Sequence, residues 1–302
     1  NLRTPFPAAV TSSYCGNYFA VADYTSFSVF NLSNGELVYG PFIPGDIISK
    51  IKFLGNGKML IEKIDQNLRL IPMSLMDLKT QNTMTIKSVN GPWDNSISDD
   101  GKYLIFSDPM FYTYLYEIGK ENKLIFTGGA KGFPLNMSAI SGNGNYFAYT
   151  TGYCSKEDGN LSNNILEIRD VKNKKHAMDP IEFEENIVSI RITNDGEYIY
   201  VLLNADKNGN QKIIKYRIGN DSPVFEYALD ATPGWSYMGM FISNDGNYIS
   251  VTGNNTVVID KEGKLASPVY EFRTKGFSPC GNYLINNSLG SKLNIIKLKG
   301  DF

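Results

Sequence analysis

Ile187-Val188-Ser189-Ile190-Arg191-Ile192, Thr193-Asn194-Asp195-Gly196-Glu197 and Tyr198-Ile199-Tyr200-Val201-Leu202-Leu203 read in order as strand, turn, strand. The first run alternates as a half-buried strand does. Asn194-Asp195-Gly196 supplies the positive φ that a tight hairpin turn demands. The second run is aromatic and β-branched, the composition of a buried strand. Outward from there, a polar loop covers Asp206 to Gln211, and Lys212 to Arg217 reads as a third strand. Gly219-Asn220-Asp221 turns again, and Val224 to Ala228 reads as a fourth. The unit is four antiparallel strands in about 45 residues.

The turn recurs along the whole chain. Its seven copies are Cys15-Gly16-Asn17-Tyr18, Asn56-Gly57-Lys58-Met59, Asp100-Gly101-Lys102-Tyr103, Asn143-Gly144-Asn145-Tyr146, Asp195-Gly196-Glu197-Tyr198, Asp245-Gly246-Asn247-Tyr248 and Cys280-Gly281-Asn282-Tyr283. Their glycines are 41, 44, 43, 52, 50 and 35 residues apart. A period of this size means one supersecondary unit stacked many times. The expectation is an all-β, seven-bladed β-propeller of four-stranded antiparallel blades, spanning residues 1–302 as a single domain. In the sixth repeat the expected strands are Tyr237 to Ser243, Tyr248 to Val251, Thr256 to Asp260 and Lys264 to Phe272. No segment shows a capped, sustained 3.6-residue apolar period, so helix should be scarce.

The ends carry a separate signal. After Tyr283 only Leu284 to Ser288 and Lys292 to Leu298 fit as strands, which leaves the last blade one short. Leu2 to Phe6 precedes the first inner strand at Ala8 to Ser12. That N-terminal segment is expected to complete the last blade and close the ring, leaving no exposed edge there.

The pattern Ser98-Asp99-Asp100-Gly101-Lys102-Tyr103-Leu104, repeated as Ser243-Asn244-Asp245-Gly246-Asn247-Tyr248-Ile249, resembles the WD-repeat-like propeller superfamily. It is equally similar to bacterial and archaeal propellers carrying Ser-Pro-Asp-Gly-Lys-Tyr. It departs from true WD repeats: no Trp-Asp pair ends a third strand, and Trp93-Asp94 lies between blades. The resemblance implies a fold, and fold alone does not confer function.

Composition narrows the function classes. Net charge is −2, charged residues make up 20% and apolar residues 42%. Lys172, Lys174, Lys175 and His176 form a hairpin tip too small for a duplex-binding surface, which needs many phosphate contacts on one face. No apolar run reaches the ~18 residues needed to cross a bilayer. The chain starts at Asn1, which points to something removed or omitted upstream: a signal, a tag or a further domain. High Asn, Tyr and Gly with few charges lean toward an exported or cell-surface protein. The odd count of three cysteines, Cys15, Cys154 and Cys280, leans the other way. Cys15 and Cys280 hold equivalent turn positions, and a bond between them would need their Cα atoms within ~7 Å.

Residues for catalysis are thin. His176 is the one histidine, which excludes a multi-histidine metal site and leaves a triad a single candidate in an exposed turn. The pairs Asp99-Asp100, Glu157-Asp158 and Glu184-Glu185 are adjacent, so in strands they point to opposite faces. The inner strands offer Asn95, Asn136, Ser138, Ser189 and Arg191, a set poor in carboxylates. No cofactor motif stands out. Asp206, Asn208 and Asn210 space oxygen side chains as calcium loops do, with one carboxylate among them.

The features that stand out lie between the repeats. Blades four and five carry the longest inserts, Cys154 to Asn163 and Asp206 to Gln211, and the widest spacings. Trp93 and Trp235 sit in inter-blade links beside Gly and Pro, with Tyr153 and Tyr237 near them in sequence; Lys156 and Asp158 lie in the first insert. Aromatic anchors among adaptable polar loops suit a recognition surface. The expected function is a non-enzymatic scaffold that binds a protein partner, or assembles with itself, through the loop face of blades four and five. The alternatives are a ligand- or metal-binding propeller enzyme, hydrolase- or lactonase-like, with a site in the channel, and a propeller belonging to a larger protein.

Overall fold

The computed structural model describes residues 9–298 apart from 14–16, 24, 44, 46, 55–56, 65–69, 87–93, 108–111, 120, 130–136, 153–163, 207, 230–238, 244, 254, 271–273, 278–282 and 289–291. Every regular element among the described residues is a strand. Blade one holds β1 (Ala9–Ser12), β2 (Tyr18–Ala22), β3 (Phe27–Asn31) and β4 (Leu37–Phe42). Blade two holds β5 (Ile47–Phe53), β6 (Lys58–Ile64), β7 (Leu70–Asp77) and β8 (Thr83–Ile86). Blade three holds β9 (Asp94–Ile97), β10 (Tyr103–Ser107), β11 (Thr113–Glu117) and β12 (Lys123–Gly128). Blade four holds β13 (Ser138–Ile140), β14 (Tyr146–Thr151), β15 (Ile165–Asp170) and β16 (Ile181–Glu182). Blade five holds β17 (Ile187–Ile192), β18 (Tyr198–Leu203), β19 (Gln211–Arg217) and β20 (Pro223–Leu229). Blade six holds β21 (Gly239–Ile242), β22 (Tyr248–Thr252) and β23 (Thr256–Asp260), and blade seven β24 (Thr274–Phe277), β25 (Tyr283–Ser288) and β26 (Lys292–Lys297).

Each sheet is an antiparallel meander in chain order. The seven inner strands make the ring. β1 packs against β5, β9 against β13, β13 against β17, β17 against β21, β21 against β24, and β24 returns to β1. Between β5 and β9, Lys52 Nζ donates to Ile97 O at 3.1 Å. Closure is visible outside the channel too: Asn17 and Tyr18 of blade one share a polar cavity of about 280 Å³ with Tyr283 of blade seven. This is a seven-bladed β-propeller. The expected role of Leu2 to Phe6 as the strand completing blade seven falls outside the described residues.

The core lies between blades rather than within them. Six apolar clusters each join two neighbouring blades, such as Ala20, Val29, Ile48 and Met59 across blades one and two. Ile168, Ile190, Ile199 and Tyr216 do the same across blades four and five. The second strand is covered on both faces, and Ile199 to Leu203 are all buried. Two-sided burial explains why that strand is a continuous apolar run instead of an alternating one.

The turn glycines adopt the conformation that their sequence context requires. Gly57, Gly101, Gly144, Gly196 and Gly246 all have φ between +69° and +73°. Ser and Asp then fix the turn from inside. Ser98 Oγ donates to Asp100 Oδ1 at 2.6 Å and accepts from Tyr103 N–H at 2.9 Å, while Asp100 Oδ1 accepts from Lys102 N–H at 2.9 Å. Ser141 with Asn143, Thr193 with Asp195, and Ser243 with Asp245 repeat the arrangement. The turns also bond sideways: Asp99 N–H donates to Gly142 O at 2.8 Å and Asn143 N–H to Asn194 O at 2.7 Å.

Blade six departs from expectation at its outer edge. Instead of a strand over Lys264 to Phe272, the chain makes two isolated bridges, Ile259 to Leu265 and Thr256 to Tyr270. Pro268 lies between the bridges, and a proline has no N–H to give to a ladder.

Candidate functional site

An antiparallel meander places all first-to-second strand turns at one end of the ring and the inter-blade links at the other. The two ends are called here the turn face and the link face. Trp93, Trp235, Tyr153, Tyr237, Lys156 and Asp158, which carried the link-face expectation, lie outside the described residues, as do Cys15, Cys154 and Cys280.

The loop of Asp206, Asn208 and Asn210 is described, between β18 and β19. Asp206 Oδ1 accepts from the Asn208 and Asn210 N–H groups at 2.8 Å each, and Oδ2 meets Asn210 Nδ2 at 3.4 Å. These bonds, the Asn210 N–H foremost and against the opposing effect of burial, hold the Asp206 carboxyl below its ordinary range. The carboxylate thus caps its own turn, and the loop's shape is explained without a cation. Among the described residues no group of three or more His, Cys, Asp or Glu side chains gathers as metal ligands do.

His176 sits at the outer edge of blade four. Arg169 Nη2 donates to His176 Nε2 at 2.8 Å, so that nitrogen is the unprotonated one. Arg169 also binds Glu167 Oε2 at 2.8 Å and lies over the rings of Phe126 and Tyr149. Tyr149 donates to Glu167 as well, and burial followed by that bond pushes its phenol far above the usual range. This cluster ties β14 and β15 to β12; nothing in it is presented to a ligand as a nucleophile would be.

The channel is different. Counting back five residues from each turn glycine gives Thr11, Lys52, Ser96, Ala139, Arg191, Phe241 and Gly276. These occupy one repeat position on the seven inner strands, a belt near the turn face in which Ala139 is buried against blade five. Neighbouring inner strands meet at this level: Phe53 N–H donates to Thr11 Oγ1 at 3.5 Å, and a β-carbon on Gly276 would lie 3.7 Å from the Phe241 ring. Bulges in β5 between Ile48 and Lys50, and in β17 between Ile187 and Ser189, precede Lys52 and Arg191 by the same interval. A bulge bends its strand and re-aims the side chains that follow it. The flanking residues, Ile51 and Phe53 in one strand and Ile190 and Ile192 in the other, are buried between blades. Lys52 and Arg191, by contrast, are only partly buried.

Both charged members of the belt are cations, and they stand three blades apart in a ring of seven, so they come from opposing walls. Their fields still overlap. Burial lowers the Lys52 amine below its ordinary value of 10.5; Asp99 opposes that shift, and Lys50 and Arg191 reinforce it. Asp99, on the rim in the blade-three turn, is raised above 3.8 by burial, with Lys52 opposing and Asp100 adding. Lys50 lies further along β5, 3.3 Å from Glu62 and 3.4 Å from Asn95 Oδ1. Asn95 and Arg191 were legible as inner-strand groups. Lys50 and Lys52 were missed, although a count back from each glycine would have found Lys52.

No protein-family model matches the chain, and no curated protein matches it. Among solved structures, it is similar to a chain of Kuenenia stuttgartiensis hydrazine synthase, with a TM-score of 0.69 and 14% identity over 98% of this chain and 97% of that one. A likeness at this identity speaks to the propeller fold alone.

Proposed function

We propose that this propeller is a non-enzymatic binding module for a protein partner, and that the turn-face mouth of its channel is where the partner is gripped. The observation that carries the reading is the belt: Lys52 and Arg191 at one repeat position on inner strands of opposing blades, both only partly buried. The rim around them is held rigid by Ser98, Ser141, Thr193 and Ser243 inside the turns and by the bonds from Asp99 to Gly142 and Asn143 to Asn194. Pre-ordered side chains spend little entropy on binding, which favours a recognition role. The link face of blades four and five, with Trp93 and Trp235, is the competing place of contact.

A photo-crosslinking residue at Ser96 reports on the turn face, and one at Trp235 on the link face. Both variants are expressed in the cell that makes the protein and irradiated. A discrete partner adduct at Ser96, absent at Trp235, is the expected result. An adduct at Trp235 alone moves the contact to the link face, and no adduct at either position overturns the reading.

A further inference from the structure

We infer that the turn-face mouth of the channel is an oxyanion site, in which Arg191 and Lys52 hold a carboxylate presented by the partner. This deepens the proposed function and rests on it for the place of contact.

The first argument is charge. Lys50 is paired with Glu62 at 3.3 Å, and Lys52 is opposed by Asp99. Arg191 has, among the described residues, only the carbonyl of its neighbour Ile190, 2.7 Å from Nη1. Arg191 is thus the cation of the belt that no carboxylate among the described residues pairs with, in a chain whose net charge is −2. Lys52 and Arg191 repel across the lumen, and an anion between them turns that repulsion into two attractions.

The second argument is the stock of donors. A guanidinium has five N–H groups and an ammonium three. Arg191 spends one on Ile190 O, and Lys52 spends one on Ile97 O at 3.1 Å. The remaining fork of Arg191 matches the two oxygens of a carboxylate or phosphate, and Lys52 adds a point charge from the far wall. The third argument is the company these groups keep. Phe241, partly exposed at the same repeat position, offers apolar surface beside the charge. That combination suits a side chain or chain terminus, with its carbon stem, better than a bare inorganic ion. Asp99 on the rim would repel a ligand that carries negative charge along its whole length. The site should therefore favour a single carboxylate directed down the channel.

Titration calorimetry at constant ionic strength tests the assignment. The probes are a short peptide with one central glutamate, the same peptide with glutamine, and sodium sulfate. The expected result is saturable binding of the glutamate peptide, at least about tenfold weaker binding of the glutamine form, and a similar loss in Arg191→Ala and Lys52→Met, as hydrogen bonds to charged groups warrant. Arg191→Lys keeps the charge without the fork and should recover only part of the affinity. Melting curves of each variant separate loss of the site from loss of the fold. Sulfate binding as tight as the peptide would overturn the partner-borne carboxylate in favour of a free anion. Equal binding by the glutamine peptide, or by folded Arg191→Ala, would overturn the oxyanion site. Either outcome leaves a crosslink at Ser96 able to stand, so the two claims fail separately.

Discussion

The Tyr103 ring lies against Gly144 of the next blade's turn, so that a β-carbon on Gly144 would come within 2.9 Å of it. Tyr146 stands in the same relation to Gly196, at 3.0 Å. In these two turns the aromatic residue is thus more than the start of a buried strand. It closes the gap to its neighbour, and the glycine makes room for it.

Gly144→Ala should therefore cost more than Gly35→Ala. Both glycines have positive φ, +70° and +73°, so both lose about 1–3 kcal/mol to backbone strain. Gly35 has nothing within 4 Å of the added carbon, whereas Gly144 has the Tyr103 ring. The difference between the two in chemical denaturation isolates the cross-blade contact. Equal losses would show that the ring moves aside freely.

Ser98→Ala should lower stability by about 1–3 kcal/mol, the cost of stranding a buried partner. Ser98 is fully buried, and its hydroxyl serves both Asp100 and the Tyr103 N–H. Ser98→Thr keeps the hydroxyl, as Thr193 does in blade five, and should recover most of the loss. Denaturant midpoints of the two variants check this.

Gly142→Ala probes the rim. Its φ is not in the left-handed range, so strain is not the issue; the added carbon would run into Asp99 Oδ2 and fall 2.8 Å from Asn194 Cγ. A loss of about 1–3 kcal/mol follows from overpacking. Asp99→Ser in the same chain should return part of it, which a double-mutant cycle reads as coupling. Additive losses would mean that Asp99 does not crowd Gly142.

Sulfate binding to the channel should weaken as pH rises. Sulfate stabilises the charged Lys52 amine, whose folded pKa lies below 10.5 because of burial, with Lys50 and Arg191 reinforcing and Asp99 opposing. Affinity is thus full below that lowered value and is lost on passing through it. At the acid end Asp99, raised above 3.8, loses its charge as pH falls, and affinity climbs. Sulfate itself does not titrate over this span, and Glu62 and Asp100 are the other carboxylates near the lumen. Lys52→Arg should abolish the alkaline fall; a wild-type profile flat up to pH 10.5 would contradict the assignment.

The fold was legible because the five described turn glycines all need φ near +70°, and such a constraint recurs visibly. In blade five, β19 and β20 each extend one residue beyond the expected strand at their starts, Gln211 and Pro223. Blade six misled because apolar residues from Leu265 to Tyr270 look like a strand until Pro268 interrupts the ladder. The site was less legible for a reason of distance. Lys52 and Arg191 are 139 positions apart in the chain, and a lysine in an alternating strand reads as a solvated face. Only ring closure brings blade two opposite blade five. The link-face residues Trp93 and Trp235 stay as the sequence left them.

The most direct measurement is a crystal structure of the whole chain grown or soaked with selenate, read at the selenium edge. The account predicts an anomalous peak in the turn-face mouth, within hydrogen-bonding distance of the Arg191 guanidinium and the Lys52 amine, and no such peak in Arg191→Ala. A wild-type channel without a peak at saturating selenate, or a peak unchanged in Arg191→Ala, would contradict it.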